Sequence, residues 1–333
     1  MFCIEGETAN DVWCQAQVRL ADETISKPTE GRGGSTRETL HAVLRIRSPL
    51  QRWVVARTPP INPAFAIAEV IWMMNGRDDA DFVNRWNSRL ADFAGHGLTY
   101  EGAYGARLRR RLGLDQIRRV CDALSVDRNS RQAVLQIWDA NLDLPGENGI
   151  PASADVPCNV CSLLKVRSGR LEWTQIMRSN DLFLGMPYNF VQFTFLQEII
   201  AGTLGVAPGD YCHFCDSLHM YERDIARFGA APTRTPDPNA DRLTESLEDS
   251  DQYFGELARA ICAFGGADPS DVMHIAFGTQ IPQPYRNLLL IVGAEATRRK
   301  GDVDRTEQCL EACSNRALTQ VFRLWLQSRR SRS

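Results

Sequence analysis

Cys158 follows a proline and stands between a polar loop and an alternating, strand-like run, an arrangement that presents a side chain at the edge of a cleft. A cysteine attacks as the thiolate, and a neighbouring positive charge favours that form. Arg178, on the return strand of the same predicted hairpin, can supply the charge. The segment RSNDLFLGMPYN then places Arg178, Ser179, Asn180, Asp181, Gly185, Pro187 and Asn189 close together in sequence. Arginine beside serine suits a cluster of phosphate oxygens. The Asn189 amide offers a donor and an acceptor, which is what reading a pyrimidine edge requires. His219 and Tyr221 alternate on a strand-like run, so they share a face and can hold a sugar hydroxyl. These residue types describe a nucleoside monophosphate site beside a thiol.

Several elements must position these groups. CSLLKVRSGRLEWTQIMRS predicts two strands joined at Ser168-Gly169. FVQFTFLQEIIAGTLG predicts an apolar helix ending near Gly202 or Gly205, and DYCHFCDSLHMY a further strand. Residues 63–75 set Ala, Ile, Val and Trp around Glu69 at helical spacing, with Gly76 as the stop. A helix is expected over 114–125 and a buried strand over RQAVLQIWD, residues 131–139. Residues 26–38 read as a Gly-, Ser- and Arg-rich loop ahead of the strand LHAVLRIR. APTRTPDPNADR (231–242) reads as a linker, 243–329 as largely helical, and QSRRSRS as a frayed end.

Composition narrows the class. The 333 residues are 44% hydrophobic and 24% charged, as in soluble globular proteins. A net charge of -3, from 38 basic and 41 acidic residues, gives no bulk attraction to a nucleic-acid polymer. The N-terminus has no basic segment followed by an apolar stretch, and no apolar run is long enough to span a bilayer. Ten cysteines without a secretion signal are expected to be reduced thiols of a cytoplasmic protein. The pairs Cys158/Cys161 and Cys212/Cys215 have a zinc-like spacing. Both fall in strand-like runs without a knuckle glycine, and strand residues three apart point to opposite faces, so no metal is expected.

The segments GRGGSTRE, AIAEVIWMMNG, GAYGARLR, NSRQAVLQIWD, PCN, MRSNDLFLGMPYN and SLHMY, in this order, resemble the thymidylate synthase and pyrimidine nucleotide hydroxymethylase family over roughly residues 30–225. The resemblance implies an α/β (α+β) fold, a mixed sheet flanked by helices, with a catalytic domain over 1–230. A divergent helical region over 243–333 is expected to pack on the same domain. It implies that Cys158 attacks C6 of a pyrimidine nucleotide and that C5 takes a one-carbon unit from 5,10-methylenetetrahydrofolate. Arg178, Ser179 and Arg32 would bind phosphate, with Arg131 reaching the same phosphate from the partner in a homodimer joined through the sheets. Glu69 would organise water for proton transfer, Tyr104 would assist at C5, and Asp181 would hold the pterin. Asn189 would read the base, and His219 with Tyr221 would hold the sugar.

The chain departs from the family pattern at Asn159, where histidine is usual, at Gln132, where a second arginine is common, and at Met177, where glutamine often stands. The final QSRRSRS is polar and basic where the family's closing tail is short and apolar. That shifts the expectation toward hydroxymethylation or an unusual methylation. Cytosine-using hydroxymethylases of the family tend to carry aspartate at the Asn189 position, so Asn189 favours a uracil nucleotide. Methylation of a uracil nucleotide is the first expectation. The alternatives are hydroxymethylation of dUMP, dCMP or CMP, and a nucleotide-binding pseudoenzyme.

Overall fold

The computed structural model describes residues 2–225 and 234–330 of the chain. Its strands are β1 (Phe2–Gly6), β2 (Lys27–Gly31), β3 (Gly34–Ile46), β4 (Val134–Gln136), β5 (Asn159–Arg167), β6 (Arg170–Asp181) and β7 (Ala207–Tyr221). They form one mixed sheet in the order β1-β3-β7-β6-β5-β4, with β2 beside β1 along the same edge of β3. The β5–β6 hairpin turns at Ser168 and Gly169, both at positive φ (50° and 71°), a backbone twist that matches the paired strands. β1–β3 and β6–β7 are parallel pairs and the others antiparallel. A parallel pair needs a crossover, which for β6 and β7 is an 18-residue helix.

The longer helices of the sheet region are α1 (Ala9–Ala21), α2 (Pro63–Met74), α3 (Gln116–Val126) and the crossover α4 (Met186–Thr203). Those that follow are α5 (Leu247–Ala263), α6 (Pro269–Gly278), α7 (Gln283–Arg299), α8 (Val303–Ala312) and α9 (Arg316–Arg330). Asn62 starts α2, its side chain accepting from the Ala64 and Phe65 amides, with Pro63 at the first helical position. Gly76, at φ +61°, follows its end. α2 is apolar on all sides except at Glu69 because it is central: α4 lies against it, and α5, α7 and α9 pack on it as well.

α4 is buried along nearly its whole length, and its polar residues pin it to the sheet. Gln197 Nε2 donates to the Leu171 and Gly209 carbonyls at 2.8 and 3.1 Å, at the starts of β6 and β7. Glu198 pairs with the buried Arg52 and accepts from the Leu243 amide at 3.0 Å, which ties the approach to α5 against the sheet region. Asn239 donates to the Leu50 carbonyl at 3.1 Å and accepts from Asn315 at 2.6 Å, extending that tie to α9.

Four expectations change in detail. Residues 26–38 are mostly the β2–β3 hairpin: Thr29↔Thr36 and Glu30↔Ser35 pair as strand residues although β2 is exposed throughout. The strand expected over 131–139 is only Val134–Gln136, because β4 is a sheet edge whose alternate residues face solvent. Gln327–Arg330 continue α9 rather than fraying; 331–333 lie outside the described residues. Of the expected linker, 231–233 also lie outside them, and 234–242 carry no helix or strand, with Asn239 buried.

Candidate active site

Cys158 lies in the loop immediately before β5 and is partly buried. Its carbonyl accepts from the Arg178 amide at 2.9 Å, extending the hairpin ladder one step beyond the strand. The Arg178 side chain then wraps the loop: Nε donates to the Pro157 carbonyl at 2.9 Å and Nη2 to the Val156 carbonyl at 3.0 Å. Nη2 also lies 3.9 Å from Cys158 Sγ. Arginine and thiol meet, as the hairpin reading expects. The balance of forces differs: burial pushes the thiol above its ordinary range, and Asp155 and Asp181 add to that, against Arg178 and Arg32. The resting group is the thiol, so attack on a substrate requires loss of its proton.

Glu69 and Tyr104 converge on the same place from other elements. Glu69 is on α2, and Tyr104 is on the short turn that abuts that helix. The abutment needs Gly105, where a Cβ would fall 2.3 Å from the Met73 carbonyl oxygen. Burial raises the Glu69 carboxyl to about 8, against a hydrogen bond from Gln192. Its Oε2 is shielded and has no partner among the described residues. Burial, and then the negative charge possible at Cys158, Asp155 and Glu69, hold the Tyr104 phenol well above its usual range. It therefore stays a hydrogen-bond donor.

The polar residues after Arg178 line up on β6 and β7. Ser179 Oγ is 3.4 Å from His219 Nδ1, Asp181 is the register partner of His219, and the His219 and Tyr221 rings are 6.1 Å apart. Asp181 Oδ1 accepts from the Phe183 and Leu184 amides, each at 2.7 Å, while Oδ2 is buried without a hydrogen-bond partner among the described residues. Arg32, at the tip of the β2–β3 hairpin, donates to the Phe93 and Ala154 carbonyls at 2.8 and 2.9 Å. Next to it, Gly33 lies so close to Tyr221 that a Cβ would stand 2.8 Å from the phenol oxygen. Arg223 stacks over the Tyr221 ring at 4.1 Å and donates to the Gly33 carbonyl at 2.6 Å. Arg131 is not brought to this cluster: it is exposed ahead of β4, with no hydrogen-bond or ion-pair partner among the described residues.

Sequence reasoning missed several groups. Asp155 Oδ2 accepts from the Gly102 amide at 2.7 Å and so joins the loop of Cys158 to that of Tyr104. An acidic residue near a cysteine gives no hint of that contact. Asn180 donates to Asn189 Oδ1 at 2.8 Å, and Asn189 Nδ2 donates to Gln192 Oε1 at 3.1 Å. His213 Nε2 is 3.0 Å from Asn180 Oδ1, and His213 Nδ1 is 2.9 Å from the Tyr211 hydroxyl. Asn159, where the family has histidine, is buried and accepts from Gln175 Nε2. Gln175 Oε1 in turn accepts from Ser162 Oγ and Trp173 Nε1 at 2.8 and 3.0 Å. The buried amide cluster thus takes up Asn159 Oδ1, while Asn159 Nδ2 is buried with no hydrogen-bond partner among the described residues.

A mixed sheet with a cysteine ahead of a hairpin, flanked by an arginine, a buried carboxyl and a tyrosine, defines a fold and site class that comparison with known proteins identifies. The thymidylate synthase family model matches residues 20–254, and the chain belongs to that family. It is 36% identical over 208 residues to the deoxyuridylate hydroxymethyltransferase of Pseudomonas phage M6, covering 59% of this chain and 58% of that protein. It is 33% identical over 204 residues to the deoxyuridylate hydroxymethyltransferase of Bacillus phage SP01, covering 58% and 52%. A putative thymidylate synthase of Methanothermobacter marburgensis is 27% identical over 222 residues, covering 65% of this chain and 93% of that protein. The chain spans somewhat more than half the length of the two phage relatives it matches.

Proposed function

We propose that the protein transfers a one-carbon unit to C5 of a uracil deoxynucleotide and that water completes the transfer, giving a hydroxymethyl group. The observation that carries the reading is the Arg178 side chain wrapped around the Cys158 loop with Nη2 3.9 Å from Sγ. Cys158 Sγ adds to C6 of the base, which makes C5 the nucleophilic carbon; C5 gives up its proton once the one-carbon unit is attached, and the Cys158–C6 bond breaks as the product forms. Its proton must leave first, and Arg178 stabilises the thiolate that forms. Glu69, with a carboxyl near 8, can hold or release a proton in the neutral range beside the base. Tyr104 donates a hydrogen bond at the C5 side.

Methylenetetrahydrofolate, the donor the family implies, supplies the one-carbon unit. The residues present fit it: the unpartnered, buried Asp181 Oδ2 is an acceptor with no internal use, suited to a pterin donor. Ser179, Arg32 and Arg178 surround the phosphate position, and His219 and Tyr221 the sugar position. The free guanidinium of exposed Arg131 suits a reach into the partner's site in a homodimer. The outer sheet face supports such a dimer, since Thr174, Ile176, Cys212 and Phe214 are half-buried there while their strand neighbours are buried against the helices. All ten cysteines are free, which supports a reducing, cytoplasmic setting.

Asn189 bears on which base is read and not on what completes the transfer; the names of the two phage relatives favour hydroxymethylation. Methylation is the second reading, favoured by the name of the Methanothermobacter relative, of which this chain covers 93%. Mass spectrometry of dUMP, UMP, dCMP and CMP, each incubated with protein and methylenetetrahydrofolate, tests both. A gain of a hydroxymethyl group on dUMP is the expected result, and a methyl gain would select the second reading. No product from any of the four would replace both with a nucleotide-binding protein.

A further inference from the structure

Asn189 is the residue proposed to read the base, yet an asparagine amide suits either pyrimidine. Uracil offers N3–H and accepts at O4; cytosine accepts at N3 and offers its amino group. Turning the amide by half a revolution exchanges the two matches. Discrimination therefore depends on whatever prevents that turn.

The surroundings of Asn189 prevent it. Asn189 is buried, and both ends of its amide are engaged: Oδ1 accepts from Asn180 Nδ2 at 2.8 Å and Nδ2 donates to Gln192 Oε1 at 3.1 Å. Turning it alone would set two donors face to face at Asn180 and two acceptors face to face at Gln192. Asn180 is itself held, because its Oδ1 faces His213 Nε2 at 3.0 Å, and His213 Nδ1 faces the Tyr211 hydroxyl at 2.9 Å. Burial holds His213 down at about 3, so its ring is neutral and has one donor and one acceptor nitrogen. With the Tyr211 hydroxyl donating to Nδ1, Nε2 carries the hydrogen that Asn180 Oδ1 accepts. The direction then runs unbroken from Tyr211 through His213, Asn180 and Asn189 to Gln192. Phe190 packs edge-on to both the Tyr211 and His213 rings, at 6.2 and 5.3 Å, which fixes the far end of the row. The Asn189 amide can turn only if the whole row turns with it.

We propose that Asn180, His213 and Tyr211 on one side and Gln192 on the other are positioning residues that hold the Asn189 amide in one orientation and so set the choice of uracil over cytosine. This rests on the uracil reading above. These residues hydrogen-bond to the amide or to one another, and Gln192 also hydrogen-bonds to Glu69. Their effect is on the ratio of affinities for two nucleotides, which a loss of general stability would leave unchanged.

The test is calorimetric titration of dUMP and dCMP into the wild-type protein and three variants. Wild type is expected to prefer dUMP. Gln192→Ala removes the acceptor that holds Asn189 Nδ2, and the preference should fall by roughly tenfold, the size of one lost hydrogen-bond constraint. Asn180→Asp replaces the donor with an acceptor, so that residue 180 is satisfied only by the turned amide, and the preference should move toward dCMP. Tyr211→Phe keeps the ring packing and removes one hydroxyl; it should narrow the preference by a smaller factor, and it decides the matter if the other two do not fold. Unchanged preference in the folded variants overturns the inference and leaves the uracil reading standing. Wild-type protein that binds neither nucleotide, or binds dCMP more tightly, removes the uracil reading and this inference with it.

Discussion

Arg178 and Cys158 are bound to each other twice, by the Arg178 amide on the Cys158 carbonyl at 2.9 Å and by the guanidinium Nη2 3.9 Å from the thiol. One residue thus sets both the position of the Cys158 thiol and part of its electrostatics. Cys158→Ser is expected to lower turnover at least ~10³-fold with nucleotide binding retained. Arg178→Ala should lower it on the order of 100-fold and move the pH midpoint of Cys158 alkylation upward, since a cation that favours the thiolate is gone. An alkylation midpoint that stays put or falls would deny Arg178 its electrostatic part.

Glu69 leaves a signature in stability. Its carboxyl is at about 8 in the folded chain and near 4.5 when free. The folded state therefore holds the proton that the unfolded state releases, and the stability this contributes is complete below pH 4.5. It declines as pH rises and is gone above about 8. Urea denaturation at a series of pH values should show wild type losing stability relative to Glu69→Gln across that window, by at most about 1.4 kcal/mol per pH unit. Parallel pH curves for the two proteins would place the carboxyl back in the ordinary range.

The hairpin tip depends on a missing side chain. A Cβ at residue 33 would stand 2.8 Å from the Tyr221 hydroxyl, so Gly33→Ala must displace either the Tyr221 ring or the tip that carries Arg32. Weakening of dUMP binding by about tenfold is the expected outcome. Arg223→Ala, which unstacks the other side of Tyr221, should act in the same direction by a smaller factor. Unaltered binding in Gly33→Ala would take Arg32 out of the phosphate site.

Arg52 and Glu198 form a fully buried pair, and Glu198 also receives the Leu243 amide. Arg52→Ala would leave Glu198 buried without its cation and should destabilise the chain by roughly 3–5 kcal/mol. A denaturation midpoint close to that of wild type would mean that water replaces the guanidinium.

What the sequence by itself determined was local or carried by motif. Ser168-Gly169 made the hairpin because those residues accept the positive φ that its turn requires. Pro63 and Gly76 bounded the helix of Glu69, and the segment carrying Arg178, Ser179, Asp181 and Asn189 matched the family's motif. The exposed polar strand of residues 27–31 gave no alternation of buried and exposed side chains, so it read as loop; pairing with β3 decided it. Only the tertiary structure brought Asp155 against Gly102, 53 residues apart, and His213 against Asn180, 33 apart. It also made the thiol of Cys158 harder to ionise than a nearby arginine would suggest. Hydrogen bonds and desolvation of this kind depend on which surfaces a fold closes together, and no spacing along the chain encodes that.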